Sequence, residues 1–96
     1  MLLFMPQDET FIAGVVTDKR GNELPKAAVQ LENQRTMSVE SYITGADGRF
    51  RFHGLLADVD YSVRAKYRDH WSNRHFISKF DSAKKNHEIH LIIPVD

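Results

Sequence analysis

Thr44-Gly45-Ala46-Asp47-Gly48-Arg49-Phe50-Arg51-Phe52-His53 joins a turn signal directly to a strict alternation. An Asp-Gly pair suits the tight reversal of a hairpin, so Gly45 to Gly48 reads as a turn. The residues that follow send Phe50 and Phe52 to one side and Arg49, Arg51 and His53 to the other. A repeat of two is the period of a strand with one buried face. Gly54 ends the run.

The same grammar extends in both directions. Thr10 to Thr17 is rich in β-branched residues and stops at Asp18-Lys19-Arg20-Gly21-Asn22, a turn built from Asp, Gly and Asn. After Pro25, Ala27, Val29 and Leu31 alternate with Ala28, Gln30 and Glu32. Asn33 to Met37 is a polar connection, and Val39 to Thr44 a short strand. In Asp60 to Arg68, Tyr61, Val63, Ala65 and Tyr67 face one way, and Ser62, Arg64, Lys66 and Arg68 the other. Asp69 to Asn73 reads as a loop carrying Trp71, and Arg74 to Phe80 as a strand. His87 to Ile93 is the last strand, stopped by Pro94. Helical periodicity is absent beyond one possible turn at Ser82 to Lys85. These runs predict an all-β, seven-stranded antiparallel β-sandwich of Greek-key type. Ile12, Val16, Val29, Leu31, Phe50, Phe52, Tyr61, Val63 and Ile89 are its expected core.

The chain has 96 residues, enough for one domain with a core that needs no staples. Thirteen basic residues balance 13 acidic ones, so no net field draws the chain to nucleic acid or an anionic membrane. Cysteine is absent, which excludes disulfides, thiolate metal sites and thiol nucleophiles. No run approaches the roughly 20 apolar residues of a membrane span, so no direct membrane insertion is expected. Met1 to Pro6 lacks the basic, long apolar and small-residue parts of a signal peptide. Residues 1–9 are expected to be a flexible or edge-packing segment, which could pair with a neighbouring molecule and give a homodimer. Residues 10–96 are expected to be the domain.

Over Ile12 to Tyr67, the chain resembles the carboxypeptidase regulatory-like domain family. The resemblance is carried by Gly14-Val15-Val16-Thr17-Asp18, Gly21, Leu24-Pro25, the Ala27/Val29/Leu31 alternation, Thr44 to Phe52, Gly54-Leu55 and Tyr61-Ser62-Val63. It implies a transthyretin-like (prealbumin-like) sandwich and an accessory role outside the cytoplasm, in a periplasmic or secreted protein. Lys26 stands where the family usually has glycine. Asp58-Val59-Asp60 stands where a glycine usually precedes the tyrosine. Turn geometry is expected to differ at both places.

No catalytic or metal-binding set is assembled along the chain, and no cofactor is expected. The five histidines include no HExxH pair, and His87 and His90 should face opposite sides of their strand. His70 and His75 flank Trp71 and could meet, but a structural zinc site needs about four ligands. Asp47, Asp58, Asp60 and Asp69 lie in loops without a calcium-loop pattern. There is no GxSxG elbow. A transthyretin-related hydrolase is disfavoured: the first strand has no histidine, and the end Ile93-Pro94-Val95-Asp96 lacks the tail of those enzymes. The inward strand positions hold no lysine for an isopeptide bond.

What remains is surface. If their strands pair, Arg49, Arg51, Arg64, Lys66 and Arg68 make one basic stripe able to grip an anionic polymer. Its alternative is a solvated face balanced by Glu32, Glu40 or Glu88. Trp71, between His70 and His75, could stack on a sugar or anchor a protein, or could instead fold over a sheet edge. The sequence thus predicts a non-catalytic binding module with a carbohydrate or protein partner and no nucleic acid. Its alternative is a ligand-free spacer or self-associating unit.

Overall fold

The computed structural model describes residues 11–56, 58–78 and 86–96. Their elements are β1 (Phe11–Thr17), β2 (Ala28–Asn33), β3 (Val39–Ile43), β4 (Arg49–His53), β5 (Tyr61–Tyr67), β6 (His70–Trp71), β7 (His75–Ile77) and β8 (Asn86–Ile92). One sheet has the order β4-β1-β8. The other runs β3-β2-β5-β6, with β7 pairing β5 beside β6. The expected sandwich is thus present, with two corrections. The strands number eight among the described residues, because His70 and Trp71 form a short strand where a loop is expected. The pairing is not wholly antiparallel, because β8 lies parallel to β1, Phe11 opposite Asn86 and Thr17 opposite Ile92. The N-terminal segment 1–9 and the helical turn at 82–85 lie outside the described residues.

Alternation explains the core. Ile12 and Val16 of β1, Phe50 and Phe52 of β4, and Ile89 and Leu91 of β8 face Val29 and Leu31 of β2 and Tyr61, Val63 and Ala65 of β5. Every residue named from sequence as core is buried. Leu24, Leu55, Val59, Ile77 and Ile93 add volume from loops and strand ends. The Tyr61 hydroxyl accepts the Leu56 N–H at 2.8 Å and ties the β4–β5 connection to the sheet.

The turn after β1 is built around Asp18. Its carboxylate accepts the N–H groups of Arg20 and Asn22, both at 2.9 Å, and the Asn22 side-chain amide at 3.1 Å. Burial alone would raise the pKa of this carboxyl, but the hydrogen bonds from Asn22 and Arg20 and the Arg20 charge bring it below the usual value. A depressed folded pKa gives stability that is present above about pH 4 and lost as pH falls through the folded value. Asp18→Ala is therefore expected to lower the melting temperature at pH 7. The gap to the parent should shrink as pH falls below about 4, which a melting series against pH checks.

Lys26 has φ 62° and Asp58 φ 72°, both in the left-handed region that glycine favours. A side chain costs roughly 1 kcal/mol there, partly offset by the greater chain entropy of glycine. Lys26→Gly keeps the N–H that donates to the Thr44 carbonyl at 3.1 Å. It should raise stability by about 0.5 kcal/mol, read as a higher urea midpoint at unchanged slope.

Candidate functional site

The register across the larger sheet assembles the site. Paired residues in a ladder share a face. One row across its outer face is Ile43, Ala28, Lys66 and Trp71. The next is Ser41, Gln30 and Arg64, and the third is Val39, Glu32, Ser62 and Phe76. Four large apolar side chains thus share one solvent face: Trp71 at 37% exposure, Val39 at 50%, Ile43 at 58% and Phe76 at 65%. An outer sheet face ordinarily carries polar residues.

Trp71 is held by its neighbours across the ladder. The Arg64 guanidinium carbon lies 3.9 Å from the centre of the indole ring, and the Lys66 ammonium nitrogen 5.3 Å. Two cations at one indole restrict its rotation and leave it at the surface, not folded over a sheet edge. Neither cation forms an ion pair with a described residue. Beside them a 60 Å³ hollow is lined by Gln30, Glu32, Val39, Ser62, Arg64 and Arg74.

Of the residues singled out in the sequence, Trp71, Arg64 and Lys66 come together, and the others do not. Arg49 and Arg51 belong to β4, which pairs with β1 in the other sheet, so the five-cation stripe is not formed. Arg51 instead covers the Phe11 ring at 4.2 Å. Arg68 occupies the β5–β6 turn with φ 56° and lies 5.2 Å from the Tyr67 ring centre. His70 pairs with Tyr67 and so points to the side opposite Trp71. His75 pairs with Val63, four residues from Tyr67 along β5, which separates the two histidines by roughly 13 Å. They do not meet. His90 shares a 2.6 Å hydrogen bond with Thr17, and Nε2 of His87 is buried without a partner among the described residues. No group of three or more His, Asp or Glu gathers among the described residues.

Sequence reasoning missed Phe76, Val39 and Ile43. Alternation in Val39-Glu40-Ser41-Tyr42-Ile43 groups Val39 with Ile43. Only the pairing with β2 reveals that their side is the outer one.

A three-stranded sheet packed on a five-stranded one, in this order, defines a transthyretin-like sandwich. The carboxypeptidase regulatory-like domain model matches residues 11–83, and the chain belongs to that family. No curated protein sequence matches it. Among solved structures it is similar to catechol 1,2-dioxygenase from Acinetobacter sp. ADP1, at 11% identity and a TM-score of 0.66, over 94% of this chain and 53% of that one. It is similar to the dioxygenase domain of a dioxygenase carbohydrate-binding fusion from Streptomyces sp. SirexAA-E, at 12% identity and TM-score 0.65, over 95% and 82%. A C-terminal fragment of the pilus adhesin SpaC from Lactobacillus rhamnosus GG matches at 12% identity and TM-score 0.60, over 95% and 47%. The chain spans about half the length of the first and last of these. Identities this low carry the fold and none of the dioxygenases' chemistry.

Proposed function

We propose that this domain is a non-catalytic accessory module, acting outside the cytoplasm, that holds a protein partner on the outer face of the larger sheet. The observation that carries the reading is Trp71, exposed and braced by Arg64 and Lys66 on the same face as Phe76, Val39 and Ile43. Tryptophan and arginine dominate the energetics of protein interfaces, where a rigid aromatic anchor loses little entropy on binding. The face is broad and open, as protein interfaces are, and carries Arg64, Lys66 and Arg74 against Glu32. Its partner is therefore a surface with carboxylates around an apolar patch. Arg64 covers the indole and competes with a sugar ring for it, so a carbohydrate partner is the weaker reading. An extracytoplasmic setting is supported by the family and by the pilus adhesin fragment among the similar folds.

The test is an amide NMR titration with peptides alternating Glu with Leu or Trp, and in parallel with neutral and acidic oligosaccharides. Peptide-induced shifts are expected at Lys66, Trp71 and Phe76. Trp71→Ala should weaken peptide binding at least about tenfold, while costing the fold less than about 1 kcal/mol. Response to sugars alone would replace the protein partner with a carbohydrate. A flat response to every probe would overturn the binding reading.

A further inference from the structure

We propose that two copies of this chain pair edge to edge through β3, antiparallel and centred on Ser41. The strand ends its sheet, all five of its residues are exposed, and among the described residues only β2 pairs with it. Its ladder shows which backbone groups are free. The Asn33 N–H donates to the Ser38 carbonyl, and the Thr44 N–H to the Ala27 carbonyl, each at 2.9 Å. Hydrogen-bonded pairs alternate along an antiparallel ladder. Glu40 and Tyr42, opposite Leu31 and Val29, therefore turn their N–H and C=O groups toward β2. Val39, Ser41 and Ile43 turn theirs away from the sheet.

That outward set is self-complementary. With Ser41 opposite Ser41 of a second copy, Val39 meets its Ile43 and Ile43 its Val39. Every outward N–H and C=O of β3 then finds a partner. On the outer face, Val39 packs across from Ile43, both at least half exposed in the single chain. On the other face, Glu40 lies across from Tyr42, so no carboxylate opposes another. A register shifted so that Val39 meets Ser41 would set Glu40 against Glu40, which is unfavourable. Natural edges are commonly blunted by lysine, proline or an inward-pointing charge. Val39 to Ile43 contains neither lysine nor proline; its one charge, Glu40, lies on the inner side opposite Leu31 but at the exposed edge, where Tyr42 of the second copy would face it. The formal net charge of zero adds no overall repulsion between copies. Pairing merges the two larger sheets and leaves Trp71, at the opposite edge, open. The dimer shares Val39 and Ile43 with the proposed partner face but does not draw on Trp71 or Phe76.

Sedimentation equilibrium from about 1 μM to about 1 mM tests it, together with residue-resolved amide exchange. Expected is a rise toward twice the chain mass, with protection at Val39, Ser41 and Ile43 that grows with concentration. Glu40 and Tyr42 should be protected at every concentration. Ser41→Pro removes only an outward N–H, which an edge strand tolerates. It should weaken association at least about thirtyfold, and Ile43→Lys, which keeps the backbone, should do likewise. Trp71→Ala should leave association unchanged. A monomer at every concentration would overturn the proposal. So would a dimer that survives both β3 variants, or one that needs Trp71.

Discussion

Gly14→Ala should abolish folding or cost about 3 kcal/mol or more. Gly14 lies at the middle of β1, between Phe50 of β4 and Ile89 of β8. A Cβ added there would fall on the carbonyl oxygen of Ile89 and 2.7 Å from Cζ of Phe50. A phenylalanine ring can swing aside, but a strand backbone cannot move without breaking its ladder. Here the ladder is the parallel pairing that closes the smaller sheet. Domains of this size have a total stability of about 5–15 kcal/mol, so such a loss is a large share of the whole. The melting temperature should fall by roughly 12–24 °C, or the transition should vanish. A melt within about 2 °C of the parent would mean that β1 and β8 do not approach so closely.

Thr44→Val should cost about 2–4 kcal/mol although it keeps shape and volume. Thr44 is buried at the corner where β3 leaves its sheet. Its hydroxyl accepts the Ala27 N–H at 2.9 Å and donates to the Leu24 carbonyl at 2.7 Å. Ala27 and Leu24 are themselves buried, so valine leaves two backbone groups without partners and without water. Thr44→Ser separates hydrogen bonding from packing. It keeps the hydroxyl and should lose only about 1 kcal/mol. Urea melts of the two variants make the comparison, and a loss in Thr44→Ser larger than that in Thr44→Val would assign the effect to packing of the methyl group in place of the two hydrogen bonds.

Alternation was legible wherever one face of a strand is buried, and it made Phe50, Phe52, Tyr61 and Val63 readable as core. It names the two faces of a strand but not the strand's neighbours. That is why Arg49 and Arg51 seemed able to join Arg64 and Lys66. The pairing of β4 with β1 is a contact between residues some 40 positions apart, and no local pattern encodes it. His70-Trp71 is too short to show a period, so β6 read as loop. Lys26 and Asp58 adopt a backbone that their side chains disfavour, and the surrounding turns impose it on them. For Trp71, residue type gave size and amphipathic character. Its direction came from Lys66 opposite it and Arg64 one row away.

The parallel alignment of β1 with β8 has a mechanical side. Among the described residues β1 begins at Phe11 and β8 ends at Ile92, at opposite ends of this paired duo. Tension carried through those two points slides one strand along the other. The cross-links from Phe11–Asn86 to Thr17–Ile92 then stretch together, not one after another as in an opening zipper. A domain threaded in this way resists being drawn out along its length far better than being peeled from its β3 side.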